Sequence, residues 1–473
     1  MRTKQNRFLS LYLLILLNLA IMTSLRNLPL IAEYGLSSLI LFAIVAIVFL
    51  FPCALISAEL ATGWTENGGI YIWVKEAFGP RWGFFAIWMQ WVHNVTWYPA
   101  ILSFVATTVA FIFNPRLAEH KLFILFIVLF GFWGMTILNM LGLKISSWFS
   151  ATCVIIGTIV PGLLILFLGM SWMIGGHPLQ ITFSWEDLFP KIKGIQDIVF
   201  LSGLFLAFGG LEVNAVHARD IQDPKRNYPK AVLFAALIAF TLLSLGSLSI
   251  SMVIPKNEIS LVAGVMDAYT FLLKPYGADY FIPLIAVLIV LGAVGEVNAW
   301  IIGPVRGLFA TSKHGDLPLF FQKANKKQIP YNLLFFQAII VTLAACVILF
   351  MPTTSGAFWI LSALSVQLYL VMYALMFLAA IRLRYSHPHT KRPYRIPYHF
   401  PGIWIIAGTG FLATLFAFFL AFVTPSQIQV GDIWFYEGYL IGGLTLMIAI
   451  PLVIFACRKD SWHPTCVDND TIR

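Results

Sequence analysis

The composition is that of an integral membrane protein. The 473 residues are 60% hydrophobic and only 11% charged, whereas a soluble domain carries about 25% charged residues. The formal charge of +9 does not indicate nucleic-acid binding, because the basic residues lie in short connections between apolar segments rather than on a soluble surface.

Twelve apolar segments are long enough to cross a bilayer, which takes about 20 helical residues. The first of them follows Arg2, Lys4 and Arg7 and therefore resembles a signal peptide, but it lacks a small-residue cleavage site, so we interpret it as a retained span. The predicted spans cover residues 8–34, 37–61, 83–113, 121–141, 147–174, 195–218, 229–254, 279–309, 331–351, 355–383, 403–424 and 434–456.

The positions of the basic residues predict the orientation. With the N-terminus inside, the cytoplasmic segments contain 23 of the 30 Lys and Arg residues, the outer loops contain six, and Arg26 lies inside a span. Because an excess of basic residues marks the cytoplasmic side, we predict a multi-pass protein of the cell inner (cytoplasmic) membrane with both termini in the cytoplasm.

The first span is interrupted at residues 23–29, which include Arg26 and Pro29. Proline removes a backbone donor and clashes with the preceding helical turn. Non-helical backbone at membrane depth is tolerated only inside the protein or along a water-filled cavity. We therefore predict a broken first helix whose irregular part faces the interior.

Connections near the membrane surfaces carry further signals. The amphipathic segment 63–82 predicts a short interfacial helix, and residues 257–276 predict helical pieces that form a lid on the outer face. Glu33 is placed near the outer surface. Glu59, near the cytoplasmic end of the second span, is interpreted as a structural anchor.

The sixth span is interrupted by a glycine pair, Gly209 and Gly210, that precedes Glu212. Glycine is a poor helix former, and a carboxylate at bilayer depth costs at least ~2.5 kcal/mol. These residues predict a second broken helix. The alternative is a glycine pair that lets a neighbouring helix pack closely.

Two broken spans at corresponding places in two halves of a chain indicate inverted repeats. The broken spans start at residues 8 and 195. Because each repeat has an odd number of spans, five, the second repeat is inverted in the membrane relative to the first. We predict an all-α integral membrane protein with twelve transmembrane helices, in a LeuT-type 5+5 inverted repeat plus two extra helices.

The predicted domains are a cytoplasmic N-terminus at 1–7, a ten-helix transport core at 8–383 with repeats at about 8–174 and 195–383, a solvated cytoplasmic loop at 384–402, two additional helices at 403–456, and a short cytoplasmic tail at 457–473.

Ionisable residues inside spans mark functional sites by default. Arg26 suits either a bidentate grip on a substrate carboxylate or permanent pairing with Glu33 or Glu296. Glu296 suits either a proton-carrying group or a neutral hydrogen bond between helices. His93 and His217 titrate near physiological pH if they meet water, and packing is the alternative role for each.

The ends of the half-helices offer open backbone amides to a carboxylate and open carbonyls to an ammonium group. A site with both selects a zwitterion over a sugar. No Walker loop, zinc-protease pair, nucleophile elbow or intramembrane catalytic Asp pair is present in the sequence, so we expect no catalytic residue, metal or cofactor. The candidate substrate-binding residues are Thr23, Ser24, Arg26, Asn27, Phe208, Gly209, Gly210, Glu212, Glu296 and Trp300.

The stretch from Phe208 to Glu212 matches the F-x-G-x-E motif of the amino acid–polyamine–organocation superfamily, and residues 223–231 resemble its N-P-x-R-x-x-P-x-A motif. A narrower resemblance is to the bacterial glutamate/GABA antiporter family. It is carried by residues 79–84, 248–259, 263–266 and 296–307.

The narrower resemblance implies sodium-independent exchange of an amino acid for its decarboxylation product. It also implies that Glu296, Trp300 and Phe208 lie on the transport path. The long C-terminal plug of that family has no counterpart before the chain ends at Arg473, so gating by the tail is not carried over. Arg26 and Asn27 stand where that family has other polar residues. The identity of the two exchanged substrates is therefore left open.

The favoured function is therefore an amino-acid antiporter that works by alternating access, with a glutamate-like substrate exchanged for a related amine or amino acid such as GABA. The alternatives are a proton-coupled amino-acid symporter and a non-transporting amino-acid sensor, while the paired helix breaks argue against a channel. The expected partners are small amino-acid substrates and the lipid bilayer, with no nucleic acid, and the expected assembly is a monomer or homodimer.

Overall fold

A computed structural model describes residues 8–64, 68–325, 327–426, 428–429 and 431–462, with the backbone alone for residues 216–219 and 302. Across these residues the chain is helical, apart from its connections and an isolated parallel bridge between Leu9 and Ile221. The all-helical membrane fold predicted from hydropathy is confirmed.

Eleven helices in the described residues are long and apolar enough to cross a membrane, and a shorter apolar helix stands where the sixth span was predicted. The count of long helices is eleven rather than twelve because the sixth segment is interrupted after Ala207. In chain order they are α1 (Leu11–Ala32), α2 (Gly35–Gly63), α3 (Pro80–Phe113), α4 (Lys121–Met140), α5 (Leu143–Ile174), the short α6 (Ile195–Ala207), α7 (Pro224–Val253), α8 (Asp279–Ser312), α9 (Tyr331–Phe350), α10 (Thr354–Ser386), α11 (His399–Leu420) and α12 (Ile433–Ala456).

The most deeply buried of the long helices are α1, α3 and α10. The most extensive contacts between helices are those of α3 with α8 and α10. Of the most apolar stretch of α1, 94% is buried inside the protein, against 17% for α12. The apolar residues of α1 therefore pack against protein, whereas those of α12 are left for lipid.

Helices α5 and α8 approach each other closely at two glycines. A Cβ atom added to Gly157 would lie 2.1 Å from the backbone nitrogen of Gly292. A single π-helical turn, Ile155–Ile159, interrupts α5 at this point, as is common near functional sites. Small residues let helix backbones touch inside a membrane, and these two set the spacing beside the break in α1.

The connecting segments contain the short helices that were predicted. Ile70–Phe78 is helical, and most of its side chains are buried against α3 and α10. Residues 65–67 of the predicted segment 63–82 lie outside the described residues. The predicted lid contains the 3₁₀ turn Lys256–Glu258 and the helix Gly264–Leu273.

Glu59 anchors the connection between α10 and α11, as predicted. Its two carboxylate oxygens accept hydrogen bonds from Nε and Nη2 of Arg384 at 2.6 and 2.5 Å, and the backbone N–H of Ile396 donates to Oε2 at 2.9 Å. Arg392 adds an ion pair at 3.6 Å. Arg384 and Arg392 were predicted to be solvated, and this is wrong: both guanidinium groups are buried because they neutralise a buried carboxylate.

Candidate substrate site

Helix α1 is broken where the sequence predicted. The first half ends at Met22, and Thr23 and Ser24 leave helical geometry, with Ser24 extended at φ −109° and ψ 120°. A 3₁₀ turn, Leu25–Asn27, then leads into the second half, Leu28–Ala32. Pro29 lies in the first turn of that half, where its missing N–H leaves no unpaired donor.

Helix α6 ends at Ala207, and the chain turns through the glycine pair before a 3₁₀ helix begins at Val213. Gly210 has φ +111°, a conformation open to glycine and strained for other residues. A Cβ atom on Gly210 would lie 2.3 Å from Cγ2 of Ile21, and one on Gly209 would lie 2.7 Å from Cε1 of Tyr369. Both predicted roles are therefore present, since the pair breaks the helix and also permits close packing.

The two breaks meet α8 at one junction. The Trp300 indole N–H donates to the carbonyl oxygen of Ile21 at 2.9 Å. The Asn214 amide donates to Oδ1 of Asn18 at 2.8 Å and ties the segment after α6 to α1. Trp300 thus lies against both broken helices.

Arg26 is a buried cation at this junction, with 2% of its surface exposed. Its guanidinium carbon lies 5.3 Å from the ring centroid of Trp97 and 5.5 Å from that of Phe358, so aromatic faces supply part of its stabilisation. Among the described residues no carboxylate oxygen lies within 4 Å of it. Glu296 interacts with it electrostatically at longer range, whereas the other predicted partner, Glu33, interacts with Lys256.

Several polar atoms at the break in α1 are left without partners. Oγ1 of Thr23 and Nε of Arg26 are buried and make no hydrogen bond within the described residues. Ser24 and Glu296 line the same small cavity, and Asn27 is buried without capping the helix that follows it. Buried polar groups are nearly always paired, so these atoms are able to bind a polar partner.

The space beside Ser24 and Glu296 is small. A cavity of about 10 Å³ is lined there by these two residues and by Gly157 and Thr158 of α5, which is room for roughly one water molecule. The junction is closed in this conformation, so an amino acid would reach it only after the helices move.

Glu212 is held by protein groups rather than open to the junction. Gln90 of α3 donates to Oε1 at 2.9 Å, the Tyr369 hydroxyl also donates to Oε1, and the Tyr373 hydroxyl donates to Oε2 at 2.6 Å. The Gly210 N–H donates to the Tyr373 oxygen at 2.7 Å. This network fixes the broken end of α6 between α3 and α10.

An aromatic cluster covers the junction, formed by His93, Trp97, Trp300 and Tyr369. The His93 ring stacks on Tyr369 at 4.0 Å and 8°, and Trp300 meets His93 edge-on at 5.3 Å. His93 is fully buried in this stack, which supports its packing role. The side chain of His217 lies outside the described residues.

Phe208 stands apart from this cluster and meets Phe42 of α2 edge-on at 5.8 Å. Of the two aromatic residues predicted to flank the site, only Trp300 is at the junction in this conformation.

Sequence reasoning missed the groups that α3 and α10 contribute. These are Gln90 and Trp97 of α3, and Phe358, Tyr369 and Tyr373 of α10. A usable signal was present, since Tyr369 and Tyr373 are four residues apart and share a helix face.

Comparison with known proteins shows which family the chain belongs to. The family model described as amino acid permease matches residues 8–450. The chain belongs to the amino acid permease family. This permease is 39% identical over 454 residues to an uncharacterized transporter of Legionella pneumophila, covering 96% of this chain and 97% of the relative.

Two further relatives of this permease carry more specific names. A glutamate/gamma-aminobutyrate antiporter of Lactococcus lactis is 32% identical over 420 residues, covering 88% of this chain and 83% of that protein. A probable agmatine/putrescine antiporter of the same species is 26% identical, covering 77% of each chain. The predicted membership of the amino acid–polyamine–organocation superfamily is confirmed, and the permease is a multi-pass membrane transporter.

Proposed function

We propose that this permease is an antiporter that exchanges a glutamate-like amino acid for a related amino acid or amine such as GABA, independently of sodium. Alternating access would take place around the breaks in α1 and α6. The observation that carries the proposal is Arg26, a buried cation with an unpaired Nε at the break in α1 and no carboxylate within ion-pair distance among the described residues. The relatives named glutamate/gamma-aminobutyrate antiporter support the choice of substrates.

Each group at the junction has a proposed role. Arg26 binds the side-chain carboxylate of the substrate, since a guanidinium pairs with a carboxylate through two parallel hydrogen bonds. The backbone at 23–27 and 208–211 holds the α-amino and α-carboxylate groups, and Glu296 balances the charge of Arg26 when the site is empty. Trp300 and Phe208 close over the ligand when the helices move.

The polar groups of α5 and α8 bind one another. Asn298 donates to the Ser150 hydroxyl at 2.8 Å, and Ser150 donates to the carbonyl oxygen of Gly295 at 2.8 Å. Sodium independence is part of the proposal because of the resemblance to the glutamate/GABA antiporter family, and it is tested by measuring uptake with and without sodium.

The proposal includes the predicted organisation. Two inverted repeats of five helices, at about 8–174 and 195–383, form the transport core, and residues 403–456 add two helices at its edge. The distribution of Lys and Arg supports an orientation with both termini in the cytoplasm, and we place the protein in the cell inner membrane.

The test is uptake of labelled glutamate into proteoliposomes preloaded with GABA, with glutamate, or with nothing, at pH 5 and pH 7 and with or without sodium. We expect uptake only into preloaded vesicles and the same rate without sodium. Equal uptake into empty vesicles under a proton gradient would replace the antiporter with a symporter. Binding without flux for a wide panel of amino acids would leave only a sensor.

A further inference from the structure

A second, larger cavity opens on the face of the bundle that carries the connection between α1 and α2. Its volume is about 470 Å³, and its wall is formed by residues 32–37 together with some of the residues in the segments 180–198 and 251–259. Pockets that hold small ligands are typically ≈ 300–1,000 Å³. The cavity is therefore large enough for an amino acid with some of its water.

Glu33 forms part of this wall, and 95% of its surface is buried. Its Oε2 atom makes no hydrogen bond within the described residues. Burial raises the pKa of Glu33 to about 8, and Lys256 opposes that rise. A buried carboxylate oxygen without a donor is costly, and an ammonium group would satisfy it.

The other two carboxylates of the wall already have donors. Asp187 is paired with Lys191 at 2.8 Å, and Asp197 accepts the backbone N–H groups of Lys193 and Gly194 at 3.0 and 3.2 Å. Glu33 is thus the carboxylate of the wall that is left with an open oxygen.

The charges of the wall are balanced when Glu33 has lost its proton. Three carboxylates and three ammonium groups line the cavity, those of Glu33, Asp187, Asp197, Lys191, Lys193 and Lys256. A dicarboxylate would favour a basic wall, and a polyamine an acidic one. A wall with both signs suits a ligand that carries both signs.

We propose that this cavity is an outer site that binds a zwitterionic amino acid, with the ligand's ammonium group on Glu33 and its carboxylate on Lys256. The outer site rests on the proposed function, because an exchanged amino acid must arrive from this side. Glu33 directly follows the five-residue half-helix Leu28–Ala32, whose other end adjoins Arg26. A ligand on Glu33 therefore holds the half-helix that leads to the break in α1.

The first experiment measures binding without transport. Gln180 is an exposed residue of the cavity wall. A Gln180→Cys variant of the full chain in proteoliposomes is labelled from outside with a membrane-impermeant thiol reagent. The wild type gives the background labelling of the native cysteines. We expect GABA to slow the labelling at concentrations where butylamine and butyrate, which each carry one of its charges, have little effect. Glu33→Gln in the same variant should abolish the protection.

The second experiment measures exchange from each side. Glu33→Gln should raise the external KM about tenfold and leave the internal KM and the maximal rate unchanged. Glu258→Gln is the matched control, because Glu258 is exposed on the same face and lies outside the cavity wall. Protection without exchange would refute the proposed antiport and keep the outer site. Three outcomes would refute the outer site. In the labelling experiment, these are exchange activity without any protection by GABA, and protection by butyrate as strong as that by GABA. In the exchange experiment, the third is an equal rise of the external and the internal KM in Glu33→Gln.

Discussion

The indole N–H of Trp300 donates a hydrogen bond to the carbonyl oxygen of Ile21 at 2.9 Å, and so ties α8 to the last turn of the first half of α1. This carbonyl has lost its helical partner, because the chain leaves helical geometry at Thr23. The bond therefore supplies a donor that the broken helix lacks.

Trp300→Phe keeps an aromatic ring at the junction and removes this donor. We expect a loss of about 1–3 kcal/mol of stability, since a buried acceptor is left unpaired, together with slower exchange. The measurements are the free energy of unfolding in detergent and the exchange rate. Trp434→Phe, at an indole that is 81% exposed, should change neither, and equal effects of the two variants would contradict the prediction.

Gly210→Ala should abolish exchange and destabilise the fold. The new Cβ atom would lie 2.3 Å from Ile21, and alanine does not readily adopt φ +111°. Gly408→Ala is the control, because a Cβ atom there meets nothing within 4 Å. Normal exchange by the Gly210 variant would mean that the break in α6 tolerates side chains.

Glu59→Gln should cost about 3–5 kcal/mol of stability, because two buried guanidinium groups lose the charge that neutralises them. Denaturation in detergent micelles measures this loss. Glu76→Gln provides the comparison, since that carboxylate is 39% exposed and lies 4.0 Å from His387, where an ion pair contributes about 0–1 kcal/mol. Similar losses in the two variants would show that Glu59 does not anchor the connection.

Arg26→Ala should raise the KM for glutamate about 10- to 100-fold, which corresponds to about 1.5–3 kcal/mol for a hydrogen bond to a charged group. The KM for glutamine, which lacks the side-chain carboxylate, should change far less. Arg26→Lys keeps the charge but not the two-bond geometry, and an intermediate KM is expected. An unchanged KM for glutamate in the alanine variant would disprove the carboxylate grip.

The external pH should change the external KM, because Glu33 in the outer site gains or loses a proton. Below its pKa of about 8, the carboxyl group must lose a proton before it accepts an ammonium group. The external KM should therefore fall, by up to about tenfold per pH unit, as the external pH rises from 6 to 8. Glu33→Gln should flatten this profile, and an unchanged slope in that variant would assign it to another group. The titratable and charged groups that share the cavity wall with Glu33 are Tyr34, Asp187, Lys191, Lys193, Asp197 and Lys256.

The breaks in α1 and α6 were predictable because their causes are local. Pro29 and the glycine pair oppose helix formation whatever surrounds them. The mean hydropathy of each segment likewise predicted the long helices, with ends that differ from the structure by a few residues. These features need no knowledge of which helices are neighbours.

The partners across helices were not predictable in the same way. Arg384 looked solvated because it adjoins a basic, proline-rich segment, and its burial depends on Glu59, which is 325 residues away. The donors to Glu212 come from α3 and α10, and which faces of those helices point inward depends on the packing of the whole bundle. Glu33 was expected near the outer surface and lies in the connection between α1 and α2, but its burial in a cavity wall has no signature in one segment.

The contact of Gly157 with Gly292 bears on how the protein would move. Helices whose backbones touch cannot slide past each other without a clash, but they can rock about the point of contact. In the proposed repeats α5 belongs to one half and α8 to the other, so this pair of glycines would act as a pivot beside Ser24 and Glu296. In a rocking motion, atoms near the contact point move least and atoms far from it move most. The two ends of the bundle would then open in turn while the groups at its centre keep their spacing.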